Sequence, residues 1–196
     1  MVRQSERRET TIAAILAAAR KLFATEGFEA VSIDDIAAKA DVAKGAVYHH
    51  FNSKEEIFTR VLEGVQAEIA AQPPSPALRK IADPLDRMAA AILSYLNAAT
   101  EPGIKRILLI DGPAVIGWRK WREIDDRYFG AGARHAVAVV MGEATPDARL
   151  DAVTHAVMGM VMEAALVCAT APDARKTAKE MTAAMRKLLE GLRRPS

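Results

Sequence analysis

Residues 31–58 read VSIDDIAAKADVAKGAVYHHFNSKEEIF, and this stretch decides the fold of the first part of the chain. Ser32 followed by Asp35 has the spacing of a capping box, which predicts that a short helix begins after Ser32. A second short helix is predicted from about Lys44 to His50, with a turn at Asp41-Val42 between the two. Two short helices joined by a tight turn, behind a longer helix, form a helix-turn-helix, and the second helix of such a unit enters the major groove of DNA.

The flanking sequence follows the same helical period. A preceding helix is predicted from about Glu6 to Thr25, ended by Gly27, because its apolar residues recur at helical spacing. Those residues are Ile12, Ile15, Leu16, Ala19, Leu22 and Phe23. The period returns in Leu85, Met88, Ile92, Tyr95 and Leu96, and again in Met181, Met185, Leu188 and Leu189. The run 136–141 resembles a strand but continues a helical register, so we predict an all-α fold.

Proline marks the domain organisation. The first proline is Pro73, and clustered prolines cannot continue a helix, so one packed unit is expected to end near 72. We predict a helix-turn-helix domain at 1–53, a connecting helix at 54–72 that opens with a capping box of Ser53 and Glu56, and a second domain at 73–196. Asp83-Pro84 and Thr145-Pro146 each place an N-cap before a proline at the first helical position.

Composition narrows the classes of protein. Hydrophobic residues make up 51% of the 196 residues and charged residues 27%, which is typical of a globular chain. The single cysteine, Cys168, excludes an internal disulfide framework. The N-terminus is charged, unlike a secretory signal, and the apolar segment Ala156 to Ala171 is shorter than the ~20 residues of a membrane span. We therefore expect a cytoplasmic protein with no membrane contact.

The second short helix carries the chemistry expected at DNA. Gly45 and Ala46 keep its outer side low enough to seat in the groove, while Lys44 and His49 bring donors to base edges and Tyr48 reaches phosphate. The full predicted set of DNA-binding residues is Arg7, Ser32, Ala43, Lys44, Gly45, Ala46, Tyr48, His49 and Lys54. Residues 1–54 hold eight Lys or Arg against seven Asp or Glu, so binding depends on where these charges lie. A helix-turn-helix that only packs internally is the alternative.

These residues resemble the DNA-binding signature of the tetracycline-repressor family of bacterial transcription regulators. The signature residues here are Tyr48, His50, Phe51 and Lys54, and the similarity extends back through KLFATEGFEA. Residues 110–126, IDGPAVIGWRKWREIDD, are similar to a segment in ligand-binding domains of some members. Two positions depart from the family pattern: Asp41 stands where glycine is usual, and Ala43 stands where a serine N-cap is common. Aspartate tolerates a left-handed turn, whereas the missing serine cap costs about 1 kcal/mol.

The resemblance implies a C-terminal helical domain that binds a small-molecule effector and forms a homodimer on a near-palindromic double-stranded DNA operator. Apolar residues suited to a pocket are Met88, Ile92, Tyr95, Leu96, Leu109, Ile110, Trp118, Trp121, Arg122, Met158 and Met162. The helix around 156–171 is apolar nearly all round and needs partners on several sides. The expected dimer residues are His155, Gly159, Glu163, Leu166, Met181, Met185 and Leu188.

The sequence thus predicts a ligand-responsive repressor released from its operator by a small hydrophobic molecule. A transcriptional activator, or a DNA-bound scaffold that senses a protein partner, remains open. An enzyme would use Asp111, Glu123, Asp125, His135 or His155, but these show no spacing of nucleophile, base and orienting group, so no catalytic residue is predicted. No metal or cofactor is expected, because adjacent residues such as His49 and His50 point about 100° apart on a helix.

Overall fold

The computed structural model describes residues 2–73, 75–142 and 148–193. Within these ranges the regular elements are helical and no strand occurs, which confirms the all-α prediction. The helices are α1 (Val2–Thr25), α2 (Ile33–Ala40), α3 (Lys44–His50), α4 (Lys54–Ala71), α5 (Pro76–Arg79), α6 (Pro84–Ala99), α7 (Pro102–Lys105), α8 (Gly112–Ile116), α9 (Trp118–Asp125), α10 (Ala131–Met141), α11 (Ala148–Thr170) and α12 (Ala174–Leu189). The stretches Arg106–Asp111 and Asp126–Gly130 are π-helical, and Glu190–Leu192 is a 3-10 turn.

The described residues of Met1–Ala67 and Pro102–Trp121 form one compact unit. Three buried aromatic rings lie in its core: Phe58 contacts both Phe23 and Phe28 edge to face, with centroid distances of 5.3 and 5.2 Å. This geometry is favourable beyond the area that the rings bury. The apolar stripe predicted for α1 faces inward here, with Ile15 and Ala19 fully buried. Contacts therefore group residues 102–121 with the helix-turn-helix, whereas the predicted boundaries followed sequence order.

The caps of α2 follow the sequence closely. The Ser32 hydroxyl accepts a hydrogen bond from the Asp35 N–H at 3.1 Å, and the Asp35 carboxylate accepts one from the Ser32 N–H at 2.9 Å, which confirms the capping box. Asp41 ends the helix in a left-handed conformation, with φ 56° and ψ 46°. Ala43 stands at the N-cap of α3 without a side-chain hydrogen bond, because a methyl group cannot accept one.

The capping box predicted at Ser53 is only half correct. The Ser53 hydroxyl accepts a hydrogen bond from the Glu56 N–H at 3.1 Å, as predicted. The Glu56 carboxylate, however, accepts from the backbone N–H of Asn52 at 2.8 Å and also from the Asn52 side chain. Two residues therefore cap the start of α4: Ser53 accepts from the Glu56 N–H, and Asn52 donates to the Glu56 carboxylate. The sequence pattern assigned both hydrogen bonds to Ser53.

The described residues of Glu68–Glu101 and Arg122–Ser196 form a second compact unit. In it α6 packs against α10, α11 and α12. The Asp83 carboxylate accepts a hydrogen bond from the Asp86 N–H at 2.9 Å with Pro84 at the first helical position, as predicted. Ion pairs of Asp83 with Arg193 and of Asp86 with Arg186 tie this end of α6 to the end of α12. The predicted cap at Thr145-Pro146 lies outside the described residues.

α11 corrects the expected length of the apolar segment. It spans Ala148–Thr170, 23 residues, whereas Ala156 to Ala171 was predicted. By length and composition alone it could cross a bilayer: an 18-residue stretch within it has a mean hydropathy of 1.7, and 44% of that stretch is buried inside the protein. The prediction that this segment is too short to span a membrane is therefore wrong. A buried helix in a globular core meets the same test, and Thr154, Met158 and Met162 of α11 face such a core.

Candidate DNA-binding surface and effector cavity

The exposed face of α3 is polar and includes a glycine, Gly45, which adds no side-chain bulk. Lys44, Gly45 and His49 are exposed, and the Tyr48 side chain is 51% exposed although it is large and aromatic. Val47 alone is fully buried and anchors the helix to the core. α3 therefore turns one residue inward and leaves the predicted DNA-contacting residues facing solvent, apart from the half-buried Ala46.

Lys44 is held by an ion pair on the same surface. Its ammonium lies 2.9 Å from the Asp34 carboxylate, and the two side chains are 55% and 63% exposed. The hydrogen bond to Asp34, together with its charge, raises the pKa of Lys44. The pairing orients the cation, but it also places a negative charge beside the predicted DNA contact.

Lys54 has a structural role that the sequence did not reveal. Its ammonium donates to the backbone carbonyls of Phe28 and Val31, both at 2.8 Å, and lies 4.2 Å from the centroid of the Phe28 ring. Lys54 thus fixes the loop between α1 and α2. The contribution of Lys54 to DNA binding stays a prediction, as do those of the exposed Arg7 and Ser32.

Two residues far along the chain hold the same loop. The Phe28 N–H donates to the Asp111 carboxylate at 2.9 Å, and the Arg106 guanidinium donates to the Thr25 carbonyl at 3.1 Å. Arg106 also lies 3.7 Å from Asp111. Gly27 adopts φ +87°, and a Cβ at this position would collide with the Arg106 guanidinium. We name Arg106 and Asp111 the loop clamp; the sequence pattern offered Asp111 only as an enzyme candidate and gave no signal for Arg106.

His50 lies partly buried at the end of α3. Its Nδ1 has no hydrogen-bond partner among the described residues, and its ring contacts His49 edge to face at 5.0 Å. Burial, and then the neighbouring His49 and Arg8, lower the pKa of His50. The neutral imidazole is therefore the form that the fold favours.

The second unit contains a cavity of about 550 Å³. Five residues predicted for a pocket line it: Met88, Ile92, Tyr95, Met158 and Met162. Several other residues on its wall were not predicted from the sequence, among them Asp125, Tyr128, Phe129, Val157 and Val161. These residues belong to helical segments whose inward face could not be assigned without knowing the packing.

Six predicted pocket residues do not line this cavity: Leu96, Leu109, Ile110, Trp118, Trp121 and Arg122. Trp121 is fully buried and donates its indole N–H to the Leu108 carbonyl at 2.9 Å, so it serves the core of the first unit. Trp118 stacks on Trp121 but is 54% exposed, and Ile110 is 51% exposed. Leu96 and Leu109 are plain core residues.

Six polar residues among those described line the cavity: Gln72, Ser75, Ser94, Tyr95, Asp125 and Tyr128. Asp125 is 5% exposed, and its carboxylate lies 3.5 Å from the Arg122 guanidinium. The Tyr95 hydroxyl is buried without a hydrogen-bond partner among the described residues. Burial and the nearby Asp125 raise the pKa of this phenol. Tyr95 therefore stays neutral and can donate a hydrogen bond.

The residues predicted for a dimer interface divide into two groups. His155, Gly159, Glu163 and Leu188 are exposed, and Leu166 and Met181 are half-buried, so all of these can reach a partner. Leu188 is 69% exposed in the single chain. Met185, at 4% exposed, packs inside the second unit of the single chain.

An exposed recognition helix on a helix-turn-helix, accompanied by a larger helical unit with a cavity, defines the class of helix-turn-helix regulatory proteins. The sequence model of bacterial regulatory proteins of the tetR family matches residues 15–61, and that of the tetracyclin repressor-like C-terminal domain matches residues 85–192, more than half of the chain. The chain belongs to the TetR family.

Similar proteins carry the same architecture. A TetR-family transcriptional regulator from Pectobacterium atrosepticum has a crystal structure 29% identical, with a TM-score of 0.75, covering 95% of this chain and 96% of that one. The transposon Tn10 TetC protein of Escherichia coli is 45% identical over 56 residues, 29% of this chain and 28% of that protein. The uncharacterized regulator YfiR of Bacillus subtilis (strain 168) is 33% identical over 98 residues, 49% of this chain and 44% of that protein. The chain thus spans less than half the length of these two curated relatives.

Proposed function

We propose that the protein is a ligand-responsive transcriptional regulator of the bacterial cytoplasm, a repressor whose homodimer leaves a near-palindromic operator when a small hydrophobic molecule binds. The observation that carries this proposal is the exposed face of α3, where Lys44, Gly45, Tyr48 and His49 point away from the core. A packing helix would bury such a face. A homodimer would present two copies to successive major grooves.

The DNA contacts divide by chemistry. Lys44 and His49 supply donors for base edges, whereas the Tyr48 hydroxyl suits a phosphate oxygen, which sets register without reading sequence. No atom lies within 4 Å of a Cβ built on Gly45, so its surface faces open space. That space is what a close approach to the groove floor requires.

A mobility shift on the DNA upstream of the gene that encodes the chain tests the DNA-binding part. Tyr48→Ala and Lys44→Ala should abolish or strongly weaken the shift while the thermal unfolding midpoint stays near that of the unmodified protein. Lys179, which is also exposed and lies on α12, supplies the matched control, and Lys179→Ala should shift DNA normally. Normal binding by both α3 variants would contradict the proposal.

The cavity favours regulation by a small-molecule effector over the alternative of a DNA-bound scaffold that senses a protein partner. A scaffold of that kind needs no internal cavity. An effector regulates only if it binds the DNA-competent and released states with different affinity. The same mobility shift, repeated with a panel of hydrophobic compounds, tests this part. A compound that releases DNA supports a repressor, whereas one that strengthens binding and transcription supports the activator alternative.

The enzyme alternative requires its candidate residues to share one reaction centre. Among its candidate residues, Asp111 accepts a hydrogen bond from Phe28 and Asp125 lies beside Arg122, roles that serve the fold or the cavity. His155 contacts the Asp151 carbonyl of its own helix at 2.8 Å. Asp111, Asp125 and His155 each have a structural partner, which favours regulation by binding over catalysis.

A further inference from the structure

We propose that the cavity of the second unit takes a neutral hydroxylated compound, an alcohol or phenol, with its hydroxyl placed between Tyr95 and Asp125. This inference rests on the proposed function and names the chemical class of its effector. It combines the shape of the cavity with Tyr95 and Asp125, two of the six polar residues described on its wall.

The size and wall of the cavity set the body of the ligand. About 550 Å³ lies within the range that holds small organic ligands. Met88, Met158 and Met162 supply flexible thioether chains, and Phe129 adds an aromatic ring. Methionine adapts to irregular apolar shapes and contacts aromatic rings favourably. The wall therefore suits a compact apolar skeleton, aromatic or alicyclic.

Tyr95 sets the first polar requirement. Its ring packs edge to face on Phe129, with centroids 5.2 Å apart and an interplanar angle of 73°, so the phenol is held in place. Its hydroxyl is buried and lacks a hydrogen-bond partner among the described residues. Such a group is costly to bury, and a ligand oxygen that accepts its hydrogen bond would relieve that cost.

Asp125, which lines the cavity and pairs with Arg122 outside the lining, sets the charge of the ligand. The carboxylate and guanidinium lie 3.5 Å apart, so the charges of this pair largely balance. An anionic ligand would face the Asp125 carboxylate, and a cationic ligand would leave an excess positive charge beside Arg122 in apolar surroundings. A hydroxyl avoids both penalties, because it can accept from Tyr95 and donate to the carboxylate.

Three naphthalene probes that share one skeleton test the inference on the full chain by isothermal titration calorimetry near neutral pH: 2-naphthol, 2-naphthoate and 2-naphthylmethylammonium. We expect 2-naphthol to bind at least about tenfold more tightly than either ion. Tighter binding of 2-naphthoate or of the ammonium probe, or no binding of 2-naphthol, would overturn the proposal.

Variants locate the site. Tyr95→Phe removes only the unpartnered hydroxyl and should weaken 2-naphthol roughly tenfold without lowering the unfolding midpoint. Asp125→Asn should reduce the preference for 2-naphthol over 2-naphthoate, since it removes the repelling charge. Thr59→Val, which deletes a hydroxyl on α4 bonded to the Glu55 carbonyl, is the control and should leave 2-naphthol affinity unchanged. Unchanged affinity in Tyr95→Phe would overturn the assignment.

The outcome is separable from that of the proposed function. Binding of 2-naphthol that depends on Tyr95, in a protein that fails to shift its upstream DNA, would uphold the cavity assignment and overturn regulation at that operator. A normal DNA shift without any 2-naphthol binding would overturn the ligand class and leave the DNA-binding proposal standing.

Discussion

At the scale of single residues, the Lys44 ammonium can pair either with the Asp34 carboxylate or with DNA, so the ion pair competes with the proposed DNA contact. We expect Asp34→Asn to tighten operator binding a few fold, because it removes a negative charge beside the phosphates and frees the ammonium. Lys44→Ala should weaken binding by roughly tenfold or more. Equilibrium titration of labelled DNA at fixed salt measures both. Changes of the same sign in the two variants would show that the ion pair, not the cation, matters for binding.

At residue 27, both the backbone conformation and the neighbouring Arg106 side chain favour glycine. Its φ of +87° disfavours any side chain, and the Arg106 guanidinium occupies the space a Cβ would need. Gly27→Ala should therefore lower the free energy of unfolding by about 1–3 kcal/mol. Urea unfolding followed by circular dichroism measures the loss. Gly103→Ala is the control: nothing lies within 4 Å of its Cβ position, so no comparable loss is expected.

His50 predicts a pH dependence of stability. Its pKa is lowered in the folded protein, so below its ordinary value of 6.5 the unfolded chain binds a proton more readily than the folded one. Stability should be fully present above that value and fall as the pH drops below it. Unfolding free energies at several values from about pH 7.5 to about pH 5.5 test this. His50→Gln should flatten the slope, whereas His135→Gln, exposed on α10, should not.

At the scale of helices, α3 can be probed through its glycine. Gly45 and Gly64 are both helical glycines with nothing within 4 Å of a built Cβ, so replacing either by glutamine should leave stability equal or raise it by up to about 1 kcal/mol. Gly45→Gln should nevertheless weaken DNA binding at least about tenfold, because the added side chain holds α3 off the groove. Equal DNA affinity in the two variants would argue against groove insertion.

Helices whose signals are local could be predicted from the sequence. The bounds of α3, the capping box of α2 and the turn at Asp41 depend on neighbouring residues, and all were predicted correctly. The loop clamp was missed because its partners are more than 80 positions apart along the chain, beyond any periodic pattern. The residues that line the cavity could not all be identified from the sequence for a related reason. Trp121 and Met162 are both apolar and buried, and only tertiary packing decides which one borders a cavity.

At the scale of the whole molecule, the exposed leucine on α12 tests the proposed homodimer. Leu188→Glu places a charge on an apolar surface that is 69% exposed in the single chain. If that surface packs against a second copy of the chain, the variant should sediment as a monomer. Its operator affinity should fall about 10²-fold, because two linked DNA-binding domains bind far more tightly than one. Val139→Glu alters an apolar side chain that is 42% exposed on α10 and is the control. A monomeric unmodified protein would contradict the dimer directly.

The loop clamp also bears on how the protein could be re-engineered. Arg106 and Asp111 come from a segment that a cut after residue 72 would discard, yet they hold the backbone at Thr25 and Phe28. A chimera that grafts only the first 72 residues onto a different sensor would leave the Phe28 amide and the Thr25 carbonyl to solvent. A transplant that carries 102–121 as well should keep its recognition helix better ordered, so the natural unit of exchange is discontinuous in sequence.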